Sequence, residues 1–122
     1  MIPPSKVEVI VRWTAPGFHH WADAPDNRAY LRVAHYHLFH YEARLDTTKL
    51  PLGDRQIELH DVQAWLQDQT EQVWGGWSCE QIANHLCDLI GLEYKVPCSV
   101  SVFEDEECGA EVTIPKKDEV QA

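Results

Sequence analysis

The chain has 122 residues, 44% of them hydrophobic, which suits one globular domain with a core of its own, residues 1–122. Its 20 acidic and 10 basic residues leave a formal charge of −10, which repels a phosphate backbone and an anionic membrane surface alike, and no Lys/Arg cluster offsets it. No apolar run approaches the ~20 residues of a membrane span, and the opening Met-Ile-Pro-Pro-Ser-Lys lacks the apolar stretch of a secretory signal, so the expectation is a cytoplasmic protein with neither nucleic acid nor membrane as partner.

In chain order, Lys6 to Thr14 alternates, with Val7, Val9, Val11 and Trp13 on one face, which predicts a half-buried strand. Pro16 and Gly17 are expected to end it, and Ala15 to Asn27 reads as a loop. Strand character returns from about Tyr30 to Leu45, with Val33, His35, His37, Phe39, Tyr41 and Ala43 on one side. Pro51 and Gly53 mark a turn, after which Val62, Trp65 and Leu66 fall at helical spacing. Gly75 and Gly76 break the chain. Ser78 with Gln81 forms a capping-box pattern ahead of the stripe Ile82, Leu86, Leu89 and Ile90, with Gly91 the expected stop. Val96 to Glu104 and Gly109 to Ile114 supply two last strands around a tight connection, and residues from Lys116 onward are expected to fray.

The expected architecture is therefore α+β in the order β-β-α-α-β-β, an antiparallel four-stranded sheet with two helices on one face. An uncovered face and open edges suggest a homo-oligomer closed into a barrel. The cysteines Cys79, Cys87, Cys98 and Cys108 form no C-x-x-C pair and read as reduced, partly buried thiols.

Histidines carry the chemistry. His35 and His37 lie two apart on a strand and so face the same side, and a third histidine from the preceding loop would complete an open three-imidazole metal site. His19 and His20 both qualify as that third ligand, with spacing favouring His20. Three imidazoles accept several divalent metals.

The order of elements and the stretch His35-Tyr36-His37-Leu38-Phe39 resemble the 6-pyruvoyltetrahydropterin synthase and 6-carboxytetrahydropterin synthase family of the tunnelling fold, whose His-Gly-His motif has tyrosine at its centre here. Ser78-Cys79-Glu80-Gln81-Ile82-Ala83 is similar to that family's helix start, and Val100-Ser101-Val102-Phe103-Glu104 to its strand ending in a ring-anchoring glutamate. The resemblance implies Zn2+ on His20, His35 and His37, and a pterin or purine nucleotide held by Glu104. Glu80 is a weaker candidate, and Arg28 and Arg32 are candidate phosphate contacts. A desolvated carboxylate of this kind accepts paired N–H bonds from a heterocycle edge.

Two departures bear on activity. Leu31 stands where the family has a proton-transferring cysteine, and the segment Gln72 to Trp77 holds neither the acid nor the imidazole of its relay. His19, His40 and His60 are the candidate replacements. Three functions follow from these residues: a zinc-dependent lyase-like synthase, a noncatalytic pterin or purine nucleotide binder, and a metal-free structural oligomer with Trp65, Trp74 and Trp77 as core or contact residues.

Overall fold

The computed structural model describes residues 2–115, so the expectation of a frayed tail from Lys116 lies outside the described residues. Strand β1 (Glu8–His19) and strand β2 (His35–Asp46) form a long antiparallel pair, in register from Glu8 opposite Asp46 to His19 opposite His35. Helix α1 (Leu59–Gln69), the short strand β3 (Val73–Gly75) and helix α2 (Cys79–Tyr94) follow, then the hairpin β4 (Cys98–Glu104) and β5 (Cys108–Ile114). The sheet order is β3-β1-β2-β4-β5.

This corrects the expected four-stranded antiparallel sheet with two helices. The sheet has five strands and one parallel pair, β1 with β3, and it curls into a half-barrel with three helices, the third a 3-10 segment over Asp26–Arg32. The cause lies at Pro16 and Gly17, which do not end β1. The amides of Phe18 and His20 point away from β2, donating to the carbonyls of Gln72 and Gly75, each at 2.9 Å. By the same alternation the nitrogen of Pro16 points to that side too, where β3 does not reach, so its missing donor breaks no ladder bond. Continued to His19, β1 offers the edge along which Val73–Gly75 can pair, and Gly75 supplies the positive φ of 64° that the segment needs on leaving it.

The alternation carries the inward face of β1 through Val11 and Trp13 to His19, and that of β2 through Phe39, Tyr41, Ala43 and Leu45. Against this face pack Val62 and Leu66 of α1 and Ile82, Leu86 and Ile90 of α2, all fully buried. The capping box forms as its residues suggest, with the Ser78 hydroxyl accepting from the Gln81 amide and the Gln81 side chain from the Ser78 amide. Gly91 does not stop α2. It is buried within the helix, which ends at Lys95 in the left-handed region. Tyr30 to Val33 is not strand: Arg32 is tied back to the carbonyl of Ala24 and the carboxylate of Asp26, and Val33 is exposed.

Candidate metal centre

His19 and His35 face each other across the β1–β2 ladder, and His37 lies two residues further along β2, opposite Gly17. The same side of the sheet therefore carries all three imidazoles, with ring centroids 4.6 Å, 5.0 Å and 5.2 Å apart. One nitrogen from each lies within 4.8 Å of the other two, an arrangement that can hold a metal ion. Gly17 makes room for it. The Phe39 ring packs against the bare glycine and stands beneath His19 and His37, at 5.3 Å and 5.6 Å between centroids.

The outer nitrogens decide the state of the rings. His19 Nδ1 is 2.9 Å from the carbonyl oxygen of Trp77, His35 Nδ1 is 3.0 Å from that of Val33, and His37 Nδ1 is 2.7 Å from Oδ2 of Asp105. Carbonyl and carboxylate oxygens only accept, so each Nδ1 must carry a proton, and Nε2 is the nitrogen whose lone pair a metal would take. Such outer partners fix tautomer and orientation in histidine metal sites. Burial pulls the pKa of His19 below the ordinary histidine value, outweighing the nearby Glu104 carboxylate.

Glu104, at the end of β4, reaches the same point. Its Oε1 is 3.4 Å from His19 Nε2 and its Oε2 is 3.2 Å from His37 Nε2. These approaches are not hydrogen bonds: both nitrogens are buried without a partner. Lone pairs on nitrogen facing lone pairs on carboxylate oxygen repel unless a proton or a metal cation sits between them, and leaving such groups unpaired costs roughly 1–3 kcal/mol each. The three rings can thus hold a metal ion, with the Glu104 carboxylate beside two of them.

A cavity of about 350 Å³ opens beside the cluster, lined by His19, His20, Trp21, Leu31, His35, Trp77, Cys79 and Glu104 among others. The Cys79 thiol, at the start of α2, donates to Glu104 Oε1 at 3.6 Å. Burial and the adjacent carboxylate push this thiol up to about 12, so it stays protonated.

The other sequence candidates are dispersed. His20, favoured by spacing, lines the cavity but is not in the cluster; His19 takes that place. His40 lies on the opposite face of the sheet with its Nδ1 3.4 Å from Glu106, bordering a separate groove with Arg12 and Phe103. His60 is exposed at the start of α1, 2.8 Å from Glu58. Glu80 borders another groove, with Asn84, His85 and Asp88. Arg28 donates to the carbonyl of Asn27, and neither it nor Arg32 lines the cavity.

Asp105, Cys79 and Trp77 were not singled out for this site by the sequence. Asp105 sits in a run of four acids that reads as a solvated turn. The signal for His19 was present in the alternation, since 19 shares the parity of Val9, Val11 and Trp13 once the strand is allowed through Pro16. A scan against protein-family models and a search of curated proteins give no match to this chain.

Proposed function

We propose that His19, His35 and His37 hold a divalent metal, zinc by donor type, and that the adjoining cavity binds a pterin- or purine-type heterocycle for lyase-like chemistry. The carrying observation is the convergence of Nε2 atoms whose rings are all fixed through Nδ1, two of those nitrogens being buried and unpartnered. The ordered resemblance to the 6-pyruvoyl- and 6-carboxytetrahydropterin synthases names the ligand class, and the chain is read as a diverged relative that self-associates. Zinc in a three-imidazole site polarises a ligand oxygen at its open position.

Around that position the chain's own groups divide the work. The indoles of Trp21 and Trp77 line the cavity as apolar walls for a flat ring. Glu104 is placed to accept an N–H or a proton, and the Cys79 thiol donates to it. A second reading, a binder that releases its ligand unchanged, is favoured by Leu31, which presents hydrocarbon to the cavity where the resembled enzymes have a proton-transferring thiol. General acid–base groups are worth ~100-fold to ~10,000-fold each.

The test is metal content of gently purified protein and of four alanine variants. His19→Ala, His35→Ala and His37→Ala should each lose stoichiometric zinc, while His20→Ala keeps it. Zinc lost only in the His20 variant would overturn the assignment. Incubating zinc-loaded protein with dihydroneopterin triphosphate then separates the readings: consumption abolished by chelation supports the lyase, and tight binding with intact recovery supports the binder.

A further inference from the structure

We propose that Asp105 is a positioning residue of the metal centre, its carboxylate fixing the tautomer of His37 so that Nε2 stays free for the ion. This rests on the metal reading above. Asp105 follows Glu104 directly, in the turn between β4 and β5, and takes the left-handed conformation that Asp tolerates better than most residues. From there it makes three bonds to β2. Its amide donates to the Leu38 carbonyl at 2.9 Å, its Oδ1 accepts from the Leu38 amide at 2.9 Å, and its Oδ2 accepts from His37 Nδ1 at 2.7 Å. The first two extend the β2–β4 pairing by one step beyond Phe39 opposite Glu104. The third reaches the imidazole itself, and the carboxylate that makes it is held below the usual Asp pKa by His37 and by the Leu38 amide.

His37 differs in this from its neighbours, whose Nδ1 protons go to neutral backbone carbonyls. A carboxylate partner raises the basicity of the ring it orients and strengthens it as a ligand. It also makes the turn part of the site: consecutive residues place one carboxylate before the imidazole nitrogens and another behind one of them.

Asp105→Asn tests the idea cleanly. Its amide has one acceptor atom for two donors, Leu38 N–H and His37 Nδ1–H. Whichever way the amide turns, a donor faces a donor. If its NH2 faces His37, the ring is driven to carry its proton on Nε2, where the lone pair is needed. Zinc affinity of full-length protein would be measured by chelator competition for wild type, Asp105→Asn, Asp105→Ala and the neighbouring Glu106→Gln. Visible spectra of the cobalt-loaded forms and melting of the metal-free forms would be recorded alongside.

The expected result is zinc binding weaker by roughly 10-fold to 100-fold in both Asp105 variants, with an altered cobalt spectrum and a metal-free protein that remains folded. Glu106→Gln should match wild type. Wild-type affinity and spectrum in Asp105→Asn would overturn the positioning role and leave the metal centre standing. A lowered melting point with unchanged affinity in the folded fraction would also overturn it, assigning Asp105 to the turn alone. Failure of wild type to bind zinc would remove the metal reading and this proposal together.

Discussion

A buried imidazole bonded through one nitrogen to a carbonyl is held in its neutral form, because protonating the other nitrogen places a charge where water cannot reach it. His19 is in that position, and its pKa falls accordingly, with burial the largest cause. The consequence for stability has a definite sign. Unfolded, the residue titrates near its usual ~6.5. Folded, it resists the proton, so between the two values the unfolded chain binds more protons and stability rises with pH. Metal-free protein should therefore lose melting temperature as pH falls through about 6.5, and His19→Gln should flatten that part of the profile. The Asp105 carboxyl, also lowered, adds a further loss only in the carboxylate range. Zinc requires neutral rings, so loading should move the acid-side loss to lower pH. A flat profile for the metal-free wild type across this range would contradict the placement of His19.

At the scale of elements, the site depends on one long hairpin and on what its glycine omits. A Cβ on Gly17 would stand 3.0 Å from two atoms of the Phe39 ring, and that ring is fully buried under the imidazoles. Replacing a strand glycine with alanine ordinarily stabilises by roughly 0.4–1 kcal/mol through the unfolded state. Here overpacking should win, costing about 1–3 kcal/mol, and the displaced ring should disturb His19 and His37 and weaken zinc binding. Urea unfolding and zinc titration of Gly17→Ala check both parts; a stabilised variant would show that the ring has room to yield. The same hairpin marks how far the sequence could be read. Alternation reveals β2, the inward face of β1 and the β4–β5 pair, and capping chemistry locates the start of α2, because these signals are local. The fifth strand is not local: Val73–Gly75 is too short to alternate, and it exists only because β1 passes through Pro16 with its other edge unpaired. The same assumption that Pro16 ends a strand left His19 and His20 together in a loop, where spacing favoured His20 and the alternation that selects His19 went unused. Asp105 was hidden because its bonds to His37 and Leu38 cross from one strand to the other, which no run of acids discloses.

At the scale of the molecule, the sheet face away from the helices carries Phe18, Tyr36, Leu38 and Phe103, each between 37% and 56% exposed, with Phe18 and Tyr36 in edge-to-face contact. Pairing supports this grouping, since Phe18 lies opposite Tyr36 and Phe103 opposite His40, the next outward position after Leu38. Among the described residues no helix is long and apolar enough to cross a membrane. The self-association proposed above would cover this face, but each copy brings a formal charge of −10 to the contact. Apolar burial favours association while like charge opposes it, and only the second is screened by salt. Association should therefore strengthen as ionic strength rises from about 0.05 M to about 0.5 M, over which the screening length falls below about 5 Å. That is the reverse of an interface built on ion pairs. Sedimentation velocity at the two salt concentrations measures it directly. The variant carrying Leu38→Gln and Phe103→Gln should sediment as a monomer at both while still binding zinc, because these side chains lie on the face opposite the imidazoles. Wild type that is monomeric at both concentrations would remove self-association from the proposal, and an oligomer that dissociates as salt rises would place its contacts on charged surface instead.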